Sequence, residues 1–293
     1  MQLLDTMSSN IRYLAILSYL IISSVHAESE VQVAKQLQNP IADLVSVPFQ
    51  LNYDQNIGDE DKGERWILNI QPVIPIDLSD DWLLISRTIL PIVWQDDIFT
   101  NSESQSSAGI LPVSWQDDKV SRSGSQSGTG DVVQSLFFSP KSPTETGWIW
   151  GAGPVFLLPT GSDDLLTTDK WGIGPTAVAL KQQGPWTYGA LTNHIWSFAG
   201  DNDRSDISST FLQPFLSYTT SSAVSYTLLT ESTYDWENNE SSIPINAVVS
   251  KVTNLGGQIV SIAGGIRYWA ESPDGGPEDW GARLTVTFIF PKL

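Results

Sequence analysis

The chain has no cysteine among its 293 residues, which removes thiol catalysis, zinc-thiolate sites and disulfides. Basic residues are scarce: 15 Lys and Arg against 33 Asp and Glu give a formal charge of −18. Nucleic acid and anionic membrane surfaces would repel such a chain and are excluded as partners. A bilayer-crossing helix needs roughly 20 apolar residues, and no apolar run reaches that length; the run from Tyr13 to Ile22 falls well short of it. No Gly-x-Ser-x-Gly elbow, phosphate loop or histidine pair at metal-ligand spacing occurs, so the reading is of a non-enzyme with no cofactor and no metal.

What is present points to export. Arg12 precedes the apolar run Tyr13 to Ile22, and Val25-His26-Ala27 supplies small residues before Glu28. This is the layout of a signal peptide over 1–27, cleaved after Ala27. An N-terminal periplasmic arm is expected over 28–43, as a short helix or a flexible segment, and a single β domain over 44–293.

From Leu44 onward the dominant period is two, with β-branched and aromatic residues between turn signals, which predicts strands. Twelve are expected: Leu44–Asp54, Arg65–Ile76, Trp82–Gln95, Asp131–Ser139, Trp148–Leu158, Trp171–Gln182, Trp186–Phe198, Ser208–Thr219, Ala223–Trp236, Ser241–Val252, Gln258–Ala270 and Trp280–Phe290. Alternation of this kind also arises in soluble sandwiches and lipocalin-like barrels, where one face packs a core. Length decides between them. Most of these segments are about twice the usual strand of five or six residues and match a tilted bilayer crossing. The predicted fold is therefore an all-β, closed antiparallel transmembrane barrel of about 12 strands in the outer membrane.

Two segments orient their faces. Val224, Tyr226, Leu228, Tyr234 and Trp236 oppose Ser225, Thr227, Glu231, Thr233 and Asp235; Trp280, Ala282, Leu284, Val286, Phe288 and Phe290 oppose Arg283, Thr285 and Thr287. One face meets lipid and the other water. Trp66, Trp82, Trp94, Tyr226, Trp236, Trp280 and Phe290 are then candidates for the aromatic girdle. A charge on the lipid face costs about 2–4 kcal/mol at the midplane, so charged residues belong inside. Arg87, Glu231, Asp235, Arg267 and Arg283 are the lumen-facing candidates, forming either a selectivity constriction or a salt-bridge network that fills a narrow lumen. His194 shares a face with Trp186 and Trp196, which leaves the orientation of that strand open.

The connections alternate between short and long, and the longer ones carry most of the acid, including Asp59, Glu60, Asp61, Asp163, Asp164, Asp201, Asp203 and Asp206. Long outer loops and short periplasmic turns are the pattern of such barrels. Asp-rich loops offer oxygen ligands to calcium, but these have neither the spacing nor the glycine of an EF-hand and read as solvated surface. Within the longest loop, Ile89-Leu90-Pro91-Ile92-Val93-Trp94-Gln95-Asp96-Asp97 recurs as Ile110-Leu111-Pro112-Val113-Ser114-Trp115-Gln116-Asp117-Asp118. A single short repeat is no solenoid; residues 98–118 read as a duplicated insertion, tolerated where loops are long.

Several stretches resemble a known group of bacterial proteins: Leu37-Gln38-Asn39-Pro40-Ile41-Ala42, Leu68-Asn69-Ile70-Gln71-Pro72-Val73-Ile74-Pro75, Gly151-Ala152-Gly153-Pro154, Gly184-Pro185-Trp186-Thr187-Tyr188-Gly189, Phe211-Leu212-Gln213-Pro214-Phe215 and Glu231-Ser232-Thr233-Tyr234-Asp235-Trp236. The group is uncharacterised and labelled as transporters, some members being misnamed neuromedin U, and it is similar to outer-membrane barrels associated with phenol-degradation pathways. The resemblance implies an outer-membrane barrel, surrounded by lipid, and the reading adopted is of a monomer that passively admits a small solute, apolar or aromatic in character. A non-conducting structural or surface-binding barrel is the alternative.

Overall fold

The computed structural model describes residues 30–58, 60–98 and 125–292. The expected signal peptide and nearly all of the duplicated insertion lie outside the described residues.

Fifteen strand segments are formed: β1 Val45–Ile57, β2 Gly63–Ile70, β3 Val73–Asp77, β4 Trp82–Asp96, β5 Gln126–Thr129, β6 Val132–Pro140, β7 Trp148–Leu158, β8 Lys170–Gln183, β9 Trp186–Gly200, β10 Ser208–Thr219, β11 Val224–Thr230, β12 Ser232–Asp235, β13 Glu240–Leu255, β14 Gln258–Glu271 and β15 Asp279–Phe290. They make twelve crossings, because β2 and β3, β5 and β6, and β11 and β12 are each two halves of one crossing. Every neighbour pair is antiparallel. The sheet closes where β1 meets β15, with Val45 opposite Phe290 and Tyr53 opposite Ala282. Closure leaves no unpaired edge, the condition for strands to cross lipid.

Proline explains all three interruptions. Pro72 itself separates β2 from β3. Pro91 of β4 lies opposite the gap between β5 and β6, where its carbonyl accepts from the Gly130 N–H. Pro244 of β13 lies opposite the gap between β11 and β12, where its carbonyl accepts from the Glu231 N–H. Proline has no N–H to return, so each ladder skips one exchange.

Alternation sorts the wall. Outward-facing Leu216, Leu228, Ile245, Val249, Ile262, Ile266 and Leu284 are exposed, as a lipid belt requires. Aromatics pair at both borders. On the long-loop side stand Tyr53 with Trp66, ring centroids 4.6 Å apart, and Tyr268 with Trp280 at 4.9 Å. On the short-turn side stand Trp186 with Tyr218 at 4.9 Å and Trp82 with Trp150 at 6.1 Å. The chain is an outer-membrane barrel. Turns of few residues, such as Gly184-Pro185 and Gly256-Gly257, join crossings at one end; Gly184 and Gly256 have φ of 59° and 61°, which glycine adopts without strain. The other end carries the longer connections.

Two details differ from the sequence expectation. The fourth crossing begins at Gln126, since β5 pairs with β4 from Gln95 opposite Gln126 to Ile92 opposite Thr129; its Ser-Gly-rich composition hid it. The arm forms a helix over 30–36 inside the short-turn end of the lumen. Ala34 packs against Ala223 and Val252, the Gln182 side chain donates to the Lys35 carbonyl at 2.8 Å, and Thr227 donates to Gln38 Oε1 at 3.0 Å.

Candidate functional site: a lumen of two halves

Across the barrel, the inward faces of β4 to β9 meet in a dry core. Ile41 of the arm, Leu83, Ile85, Phe137, Val178, Leu180 and Leu191 form one cluster, with Phe211 and Phe215 packed against it. Val133, Val155, Leu157, Ile195 and Ile207 form a second. Phe137, Ile85, Leu157, Leu180 and Ile195 are completely buried, so this half of the lumen is filled as a soluble core would be. Glycine allows the walls to close in: a Cβ on Gly153 would meet the Leu136 carbonyl oxygen at 2.0 Å, and one on Gly174 the His194 carbonyl oxygen at 1.7 Å.

The inward faces of β1, β2 and β13 to β15 are polar and carry a charge network. Asp54 stands directly opposite Arg65 in the β1–β2 register. Its carboxylate accepts from Trp269 Nε1 at 2.9 Å and from Arg267 Nη1 at 3.4 Å, with Arg65 Nη2 at 3.9 Å. The Arg267 guanidinium also lies 4.5 Å from the centroid of the Trp269 ring. Arg283 grips Glu231 with both terminal nitrogens, Nη1 reaching Oε1 at 3.1 Å, while its Nε donates to Asn52 at 2.8 Å. Asn52 is the cross-strand partner of Arg283. Arg267 Nη2 is 4.0 Å from Glu231 and links the two clusters. Asp54, Arg65, Arg267 and Arg283 are deeply buried and Glu231 is partly so, so pairing has to offset a desolvation penalty of several kcal/mol per buried ion.

The five residues singled out for the lumen therefore separate. Glu231, Arg267 and Arg283 meet in this network. Arg87 points inward from β4 at the edge of the network: it donates to Gln71 Oε1 at 3.1 Å and feels the Glu231 charge without forming an ion pair with it. Asp235 is buried near the long-loop end, where it caps the turn after β12, accepting from the Glu237 N–H at 2.9 Å and Asn238 Nδ2 at 2.8 Å. Asp54, Arg65 and Asn52 were missed. The alternation carries the signal for them: Asn52 and Asp54 flank Tyr53, and Arg65 precedes the girdle candidate Trp66.

Between the halves lie two cavities. One of about 260 Å³ sits above the arm and is lined by apolar groups of the arm and wall together with polar residues of β1, β11, β14 and β15. A smaller one of about 60 Å³ lies toward the long loops, beside Asp54, Arg65 and Trp269. The residues lining both are Gln50, Gln71, Arg87, Gln213 and Glu231, which form a ring between them. Gln71 and Glu231 project from two of the proline-linked breaks, Gln71 immediately before Pro72 and Glu231 opposite Pro244.

The outer mouth is braced by the loop over 159–169. Asp131 accepts from the N–H groups of Gly161 and Thr168 and from the hydroxyls of Thr167 and Thr168, at 2.6 to 3.0 Å. Lys170 Nζ reaches Asp206 at 3.1 Å. Hydrogen bonding from the Lys170 ammonium holds the Asp206 carboxyl below the ordinary carboxylate range. At the other end, Lys292 bridges Asp43 of the arm and Asp77, both at 2.7 Å.

His194 faces lipid. It lies opposite Thr210 in the β9–β10 register, its Nδ1 is 2.7 Å from the Thr210 hydroxyl, its ring lies 4.0 Å from that of Trp196, and Trp236 Nε1 donates to the same hydroxyl at 2.8 Å. This resolves the facing of β9. The expected girdle residues Trp66, Trp82, Trp94, Tyr226, Trp236, Trp280 and Phe290 are all exposed on the outer wall, along with Trp148, Trp150, Trp171, Trp186 and Trp196.

No family model matches the chain, and no curated protein matches it. Solved structures do. An outer-membrane channel of Pseudomonas putida F1 is similar at 15% identity and a TM-score of 0.61, covering 84% of this chain and 96% of that one. Outer membrane phospholipase A of Escherichia coli aligns at 9% identity and a TM-score of 0.45 over 84% and 93% of the two chains. At these identities the likeness to the channel speaks for the fold alone: a closed outer-membrane barrel of antiparallel strands.

Proposed function

We propose that the chain is a monomeric, passive channel for a small solute, exported by a cleaved signal peptide, and that it is not an enzyme. The observation that carries this reading is the pair of lumen cavities that lie between the two halves and share one ring of polar side chains. The solute enters between the outer loops, passes the ring and leaves past the arm. The mixed lining of the larger cavity suits a solute with an apolar or aromatic body. His194 does not read as a hydrolase base: it stands on the lipid face, and its Nδ1 meets the Thr210 hydroxyl rather than a carboxylate.

The test is conductance of the purified barrel in planar bilayers and solute-driven swelling of liposomes. Unit conductance is expected to rise when residues 30–42 are deleted, and to change with Glu231→Gln or Arg267→Gln. The buried arm and the dry half favour a second reading, a sealed structural barrel. Zero conductance in both the full chain and the arm deletion would establish it.

A further inference from the structure

Resting on the channel reading, we infer that the ring is a selectivity site for small organic anions, with Arg87 as the residue that receives the carboxylate. The argument starts from a charge count. Arg65, Arg87, Arg267 and Arg283 face Asp54 and Glu231, an excess of positive charge inside a chain whose net charge is −18. The excess is not shared evenly. Arg283 spends its guanidinium on Glu231 and Asn52, and Arg267 lies against Asp54 and Trp269. Among the described residues the Arg87 side chain makes one hydrogen bond, to a neutral amide, and Glu231 acts on it only through space, although a guanidinium carries five N–H donors in a planar fork. It is also the one arginine that lines both cavities. A carboxylate at that fork would be held bidentately.

The surroundings set the rest of the ligand. Gln50 and Gln213 lie on the same ring and offer amide donors. Below the ring, Pro40, Leu44, Pro48, Val73, Leu229 and Val248 line the larger cavity, which suits an apolar body trailing the charged end. Bulky or multiply charged anions are excluded by the volume of about 260 Å³ and by Glu231 beside the path.

Two measurements test this separately from conduction. Benzoate and benzamide have the same shape and differ in charge. Calorimetric titration of the detergent-solubilised barrel is expected to give benzoate binding about ten-fold tighter than benzamide, the gain of a charge-assisted pair, lost in Arg87→Gln and largely kept in Arg87→Lys. Equal binding of the two ligands overturns the site even if the barrel conducts. In bilayers under a KCl gradient, the reversal potential is expected to favour chloride, with the preference reversed in Arg87→Glu and weakened in Gln213→Glu. A cation-selective wild type overturns it as well. A barrel that binds benzoate at Arg87 yet passes no current leaves the site standing and removes the channel reading. Heat-modifiable gel migration checks that each variant is folded.

Discussion

The two halves of the lumen are built from the same period-two alternation and end in opposite states. From β4 to β9 the inward positions are mostly apolar, among them Leu83, Ile85, Phe137, Val155, Leu157, Leu180, Leu191 and Ile195, which pack together, with Arg87 as an inward charge at their edge. From β13 round to β2 they include Asn246, Arg267, Arg283, Asn52, Asp54, Arg65 and Asn69, also buried but polar, with Asn52, Asp54, Arg65, Arg267 and Arg283 joined by hydrogen bonds and charge. A barrel of this size has little interior to spare. Closing one half by packing narrows the cross-section, and five side chains from both sides of the remaining space then form the ring.

The comparison can be broken most directly in the dry half. Gly174→Val puts a branched side chain against the His194 carbonyl, and the expected outcome is failure to assemble, seen as loss of heat-modifiable migration. Phe137→Ala leaves a cavity and is expected to cost about 3–5 kcal/mol in denaturant unfolding from micelles; its unit conductance should also rise if packing is what seals that half. The wet half should answer differently. Glu231→Gln strands Arg283 and is expected to cost about 3–5 kcal/mol, whereas Glu231→Gln combined with Arg283→Met should cost clearly less than the two changes summed, because the partners share one interaction. Thr285→Ala, on the wall of the larger cavity, should change stability by no more than about 0.5 kcal/mol, since water can take the space.

The smallest expected effect is at the outer mouth. The depressed Asp206 carboxyl contributes stability that is present above its unfolded-state pKa and is lost as pH falls through its lower folded value. Protease nicking of the loop over 201–207 should therefore increase below the ordinary carboxylate range. Asp206→Asn should remove that pH step. The side chain is largely exposed, so the effect is confined to the loop and screened by salt.

Much of the fold was legible because its signals are local. Alternation, strand length and the spacing of tryptophans report which face meets lipid, and they put Glu231 and Arg283 on the same face as Thr227, Thr233 and Thr285. Prolines 72, 91 and 244 were visible too, but their effect needed the register: Pro91 and Pro244 break the strand opposite them and leave their own unbroken. The short β5 escaped notice since Gln126-Ser127-Gly128-Thr129 has little strand propensity of its own and is held by pairing with β4.

The sequence by itself determined that this chain closes into a membrane barrel, because a bilayer imposes one period, one length and one aromatic border on every crossing. It could not determine how the inside is divided. Which inward residues meet depends on closure and stagger, which bring Asp54 to Arg267 across 213 residues and Glu231 to Arg283 across 52. Only the tertiary structure decided that the arm lies within the lumen, that one side of it is dry, and that Arg87 reaches both cavities at the ring.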